Sequence, residues 1–154
     1  MATTEETPKK TTEETPKKTR KKKLNETVAS GKRKRAIARA SVSKGGAGRI
    51  TFNGRSLSLI SDATAREIIT EPLSFVNASD YDVSVKATGG GVMGQAQAAR
   101  TAIAKALIAL SGDVSLKQRM IAFDRSMVIS DPRRVEPKKF KGPKARARFT
   151  KSYR

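Results

Sequence analysis

Gly89, Gly91 and Gly94 fall in a G-x-G-x-x-G spacing, with Gly90 filling the first gap. Two chemistries use such a spacing. A dinucleotide site needs it between a buried parallel strand and a helix, inside a βαβ unit. A plainer anion site needs only glycine N–H groups clustered at a helix N-terminus, where the dipole also favours phosphate. The preceding segment sets Tyr81, Val83, Val85 and Ala87 against Asp82, Ser84 and Lys86, the pattern of a half-exposed strand rather than a buried one. No strand pattern follows at a distance that would close a βαβ unit, and Asp113 falls in a glycine-containing loop. The dinucleotide reading is therefore set aside. A nest for a nucleic-acid phosphate, with Gln95 close by, and a purely structural turn both stay open. A bulky side chain at Gly91 is expected to disturb the turn and block any nest, and Gln95→Ala to be mild.

Other site chemistry has little to stand on. The chain contains no His and no Cys. Imidazole bases, thiolate nucleophiles and the usual ligands of zinc, haem and iron–sulfur centres are thereby absent, as is any disulfide. Serines are plentiful, but only Lys could activate them. Asp62, Asp82 and Asp113 read as cap, turn and surface residues. We expect no catalytic residue, no metal site, no cofactor and no small-molecule substrate. What remains is charge: 33 Lys and Arg against 14 Asp and Glu, a net +19. A chain so self-repelling points to a polyanionic partner.

That charge sits at the two ends. Residues 1–35 are net +7, residues 36–130 net +4 and residues 131–154 net +8. Thr3–Lys10 repeats as residues 11–18, a polar octapeptide with nothing to bury, followed by the basic run Arg20–Lys23. We expect residues 1–24 to be a disordered extension, residues 25–130 a folded domain and residues 131–154 an extended tail. With only seven aromatics and 36% hydrophobic residues, the core should be small and aliphatic.

The elements that position the glycines follow from periodicity. Residues 34–43 alternate, with Ala36, Ala38, Ala40 and Val42 on one side and Arg33, Arg35, Ile37 and Arg39 on the other, giving a half-buried strand with a basic face. Residues 44–48 read as a hairpin connection to a returning strand at 49–53. Asp62 can cap a helix from Ala63 to about Thr70, which Pro72 closes. Met93, Ala96, Ala99, Ile103, Leu107 and Leu110 form one helical stripe ended by Gly112, and a short helix is expected from Val114 to about Phe123. Strands with one apolar face, covered by helices, make an α+β two-layer domain. From Asp131 onward Pro132, Pro137 and Pro143 interrupt a basic run without periodicity, so the tail should order only against a polyanion.

Three stretches together carry a family resemblance: Gly31–Ala40 with Ile50–Gly54, Gly89–Ala96, and Asp131–Phe140 with Ala145–Arg154. In this order they resemble the family of small-ribosomal-subunit protein nine, over roughly residues 28–154. The final Lys151-Ser152-Tyr153-Arg154 is similar to the archaeal and eukaryotic form, and the lack of Cys and His favours the archaeal one. Phe149 and Thr150 stand where the family would have Tyr and Gln, and Lys141 and Lys144 where Gly is common.

The resemblance implies a fold similar to the second domain of ribosomal protein five, in the head of the small subunit, in the cytoplasm. It implies small-subunit rRNA and neighbouring head proteins as partners. The rRNA-binding positions would be Lys32, Arg33, Lys34, Arg35, Arg39, Gly89, Gly90, Gly91, Gln95, Arg133, Arg134, Lys138, Lys139, Lys141, Lys144, Arg146 and Arg148. It also implies that Lys151, Ser152, Tyr153 and Arg154 touch the anticodon stem-loop of peptidyl-site tRNA. Composition alone allows a nucleoid or chromatin DNA-binding protein equally well. No apolar run approaches the ~18–20 residues of a membrane span, and no membrane partner is expected.

Overall fold

The computed structural model describes residues 26–151, so the octapeptide repeat, the Arg20–Lys23 run and Ser152–Arg154 lie outside the described residues. The chain folds as a two-layer α+β domain. Its strands are β1 (Glu26–Arg33), β2 (Ala36–Lys44), β3 (Ile50–Phe52), β4 (Arg55–Ser56) and β5 (Tyr81–Thr88), in the sheet order β1-β2-β5-β3-β4. The helices are α1 (Ala63–Thr70), α2 (Val92–Ser111), α3 (Val114–Phe123) and α4 (Arg125–Val128).

The first strand differs from expectation. Residues 26–33, inside the expected folded domain but given no strand of their own, form β1 and pair antiparallel with β2 from Glu26↔Ser43 to Arg33↔Ala36. Lys34 and Arg35 are the hairpin turn, with Lys34 at φ 53°, rather than the start of a strand. The pattern was hard to see because the side of β1 that faces the helices carries Thr27, Ala29 and Gly31, which offer little apolar contrast. Gly31 is there for a steric reason. A Cβ on it would run into the Ala98 carbonyl oxygen of α2 and lie 2.6 Å from the Ala102 amide nitrogen. Its absence lets α2 lie directly on β1.

The expected hairpin between β2 and β3 is not formed. β5 lies between them, antiparallel to β2 and parallel to β3. Residues 45–49 instead cross the end of β5. The Gly45 amide donates to the Asp80 carbonyl at 2.8 Å, and Asp82 Oδ1 accepts from the Ala47 and Arg49 amides at 2.9 Å each. Asp82, read with Asp62 and Asp113 as one of the cap, turn and surface acids, is thus the fastener of this crossing. Local turn chemistry shows that the chain reverses there, but not that a later strand will occupy the gap.

The core is aliphatic, as composition requires. Ala36, Ala38, Ala40 and Val42 of β2 are fully buried, beside Val83, Val85 and Ala87 of β5. Above them α2 buries Ala96, Ala98, Ala99, Ala102, Ile103, Ala104, Ala106 and Leu107, far more than one stripe. Small alanines on several sides allow close approach to β1, β2 and α1 at once. Met93, counted in the stripe, is 39% exposed at the open end of the helix. Gly112 ends α2 in the left-handed conformation at φ 71°, as its position suggests. Asp62 caps α1, accepting from the Thr64 and Ala65 amides.

Arg100 ties the helical layer together. Its Nη2 donates to Glu71 Oε1 at 3.0 Å and its Nη1 pairs with Asp124 Oδ2 at 2.8 Å. Its Nε also lies 2.7 Å from Glu71 Oε2, but without hydrogen-bond alignment, so the tie to Glu71 runs mainly through Nη2. Burial acts to raise the Asp124 pKa. Hydrogen bonds from the Ser126 amide and hydroxyl and from Arg100 outweigh it and hold the carboxyl below its ordinary value.

Candidate nucleic-acid interface

The helices leave one sheet face open. Strand register sets Ser30, Arg39 and Lys86 in one row and Lys32, Ile37 and Thr88 in the next. Lys32, Arg39 and Lys86 are exposed there, with the half-exposed apolar side chains of Val28 and Ile37 between them. Lys86 was not among the expected binding residues. Its alternation with Val85 and Ala87 assigns it to a polar strand face, but only the β2–β5 pairing brings it beside Arg39.

Arg33 leaves this face. The sheet register sends it to the helix side, where Nε donates to Gln97 Oε1 at 2.9 Å and Nη1 is ion-paired with Asp131. The expectation that Arg33, Arg35 and Arg39 share one outward row therefore gives way. The row was counted through residues 34 and 35, which belong to the turn.

At the edge of the domain the β1–β2 turn meets the glycines. Arg33, Lys34, Arg35, Gly90, Gly91, Gly94, Arg134 and Val135 line a groove of about 560 Å³. Gly89 and Gly90 have φ of 72° and 67°. A Cβ on Gly89 would lie 2.7 Å from the Arg35 carbonyl oxygen, and one on Gly90 would press on Ala36 at 3.0 Å. These two glycines are structural. Gly91 is different: it precedes α2 at φ −113°, no side chain caps the helix, and a Cβ there meets nothing within 4 Å. The expected steric disturbance at Gly91 is thus not a property of the fold. Gln95 donates through Nε2 to the Gly89 carbonyl at 3.1 Å, fastening the turn to the first turn of α2. The groove thus sets the start of an uncapped 20-residue helix among four basic side chains, Arg33, Lys34, Arg35 and Arg134. Such a site favours an anion. The strand order and the run of helices after α2 leave the glycine spacing without a βαβ unit, so a dinucleotide has no frame here.

The tail from Asp131 to Lys151 contains no helix or strand. Lys138, Lys139, Lys141, Lys144 and Lys151 are exposed, with the Lys141 ammonium 5.7 Å from the Phe140 ring centroid. Arg133 is drawn to Asp131, its Nε donating to Oδ2 at 2.8 Å. Arg146 makes a two-pronged contact with Glu136, which raises the guanidinium pKa above its ordinary value. Arg148 donates to the Phe140 carbonyl at 3.2 Å. The sequence marks these cations by type. It does not reveal that several are held by the tail's own acids and carbonyls.

Among the described residues no group of acidic side chains is arranged to hold a metal ion, and no helix is long and apolar enough to cross a membrane. A small aliphatic α+β domain with a basic open face, a glycine-lined cationic groove and a basic tail is the class these features define. Residues 31–154 match the family model described as ribosomal protein S9/S16. The small ribosomal subunit protein uS9 of Methanothrix thermoacetophila is 47% identical over 128 residues, covering 82% of this chain and 96% of that protein. That of Halobacterium salinarum is 44% identical over 131 residues, covering 83% and 98%. The chain belongs to the ribosomal protein S9/S16 family, and it is of the archaeal type.

Proposed function

We propose that this protein is built into the head of the small ribosomal subunit through three rRNA contacts: the open sheet face, the glycine groove and the tail. We further propose that Lys151–Arg154 reach the anticodon stem-loop of peptidyl-site tRNA. Membership in the family makes it a structural ribosomal protein acting in translation, of a non-enzymatic kind. Neighbouring head proteins complete its surroundings. The observation that carries the rRNA reading is the groove, where segments some 100 residues apart in sequence bring Lys34, Arg35 and Arg134 to the bare start of α2. Phosphate is the ligand that suits both the donors and the charge.

Binding of the full chain to purified small-subunit rRNA, with backbone footprinting and duplex DNA as the comparison, tests this. Affinity for the rRNA should exceed that for the duplex. It should also fall steeply with salt. Each phosphate contact contributes about 0.7–0.9 to the log–log slope, so ten contacts give roughly −7 to −9. A slope shallower than about −2, or equal footprints on duplex DNA, would contradict the proposal.

A further inference from the structure

We infer that the tail's two carboxylates, Asp131 and Glu136, are internal staples that set the path of the cationic tail before it meets RNA. The inference rests on the rRNA reading above for the partner, but not for the staples themselves.

Residues 131–154 carry ten basic and two acidic side chains. In a segment that binds a polyanion, each acid opposes binding unless it does something else. Both do. Asp131 is 9% exposed and accepts from three groups of Arg133: the amide and Nε at 2.8 Å, and Nη2 at 2.6 Å. It is also ion-paired with Arg33, which is itself held by Gln97 of α2. Next to it, Ser130 Oγ accepts from Lys105 Nζ at 3.1 Å. The root of the tail is thereby fixed to both β1 and α2, and Arg134 is delivered into the glycine groove.

Glu136 works further out. It receives Arg146 Nε at 3.0 Å and Nη2 at 2.7 Å, closing a loop from 136 to 146. Inside that loop Gly142 is buried, and a Cβ on it would run into the Ala147 carbonyl. Lys138, Lys139, Lys141 and Lys144 remain exposed on the loop. A tail held in this way loses less conformational freedom on binding than a free one.

The sign of one measurement separates this from simple electrostatics. Asp131→Asn and Glu136→Gln each raise the net charge by one, and Glu136→Gln also frees Arg146 for phosphate. Charge alone therefore demands tighter RNA binding. Loss of a staple demands weaker binding. We expect the full-length variants to bind purified small-subunit rRNA more weakly, roughly tenfold for Asp131→Asn, whose carboxylate is nearly buried and also paired with the half-buried Arg33, and about threefold for the exposed Glu136→Gln. Unchanged or tighter binding by either variant overturns the inference. Thermal melting checks that the domain is intact, and if Asp131→Asn unfolds it, Glu136→Gln decides alone.

A second readout needs no RNA. Tryptic cleavage after Lys139 and Lys141 in the free protein should speed up several-fold in Glu136→Gln. It should return to the parental rate when Glu136→Arg is combined with Arg146→Glu, which restores the pair with reversed sense. Equal cleavage rates in parent and Glu136→Gln, or no recovery in the reversed pair, also overturn the inference. If the parent itself fails to bind small-subunit rRNA, the proposed function fails, while the cleavage rates still judge the staples.

Discussion

Two glycines separate what the fold needs from what the site needs. Gly31 is demanded by packing, since its missing Cβ is the space taken by the backbone of α2 at Ala98 and Ala102. Helix backbone does not move aside as a side-chain tip does. Gly31→Val should therefore destabilise the domain at the upper end of the overpacking range, about 3 kcal/mol or more, read as a fall in the urea midpoint. Gly91 has open space in front of it and extended backbone suited to a helix-capping residue. Gly91→Ser should let the hydroxyl accept from the free N–H groups of the first turn, so the domain keeps or slightly gains stability, by a few tenths of a kcal/mol. Those same N–H groups would then be engaged. If they hold rRNA phosphate, affinity must fall while stability does not. A Gly91→Ser protein that is as stable and binds rRNA as tightly as the parent would leave the groove without its phosphate.

Among the elements, α4 and the middle of α2 are held by a charged contact that responds to pH. Asp124 accepts the Ser126 amide at 2.7 Å, capping α4, and pairs with Arg100 of α2. Its pKa is lowered in the folded protein. A depressed carboxylate contributes stability above its unfolded pKa, near 3.9, and that contribution is lost as pH falls toward and through the folded value. Between about pH 4 and pH 2 the parent should therefore lose stability more steeply than Asp124→Asn, in urea titrations at each pH. Parallel pH profiles would show that the contact is too solvated to matter. Helices α1 to α3 were legible because their signals are local: a capping Asp62 before Ala63, a stripe along α2, a stop at Gly112; the single turn of α4 was not. β2 and β5 were legible by alternation. β1 was not, because small residues facing an alanine-rich helix look like a loop. The order of the strands was not legible either, since the Asp82 fastener and the insertion of β5 between β2 and β3 depend on contacts more than thirty residues apart. The cations of the site could be named from type and spacing. The groove that gathers residues 34, 35, 91 and 134 could not, and neither could the withdrawal of Arg33 into a pair with Asp131.

At the scale of the whole molecule, anchoring and contact with tRNA are expected to separate along the chain. The domain and the tail as far as Lys151 hold most of the positive charge proposed to meet rRNA. Residues Ser152, Tyr153 and Arg154 add one guanidinium and one ring. Removing them changes few phosphate contacts, so assembly into small subunits should be nearly unaffected, and the salt slope should flatten by about one contact's share, roughly 0.7–0.9. The tip has chemistry suited to a structured RNA end: a forked donor for phosphate in Arg154 and, in Tyr153, a ring that stacks on a base or packs on a sugar. If it meets the anticodon stem-loop as proposed, deleting residues 152–154 should weaken peptidyl-site tRNA binding by about 1–3 kcal/mol, the scale of one charge-assisted contact. The measurement is tRNA affinity on purified small subunits carrying the truncated protein, with initiator selection and frame maintenance scored alongside. Unaltered affinity with unaltered fidelity would confine the tip to rRNA, and defective assembly would mean that its last three residues anchor the tail rather than report to the decoding site.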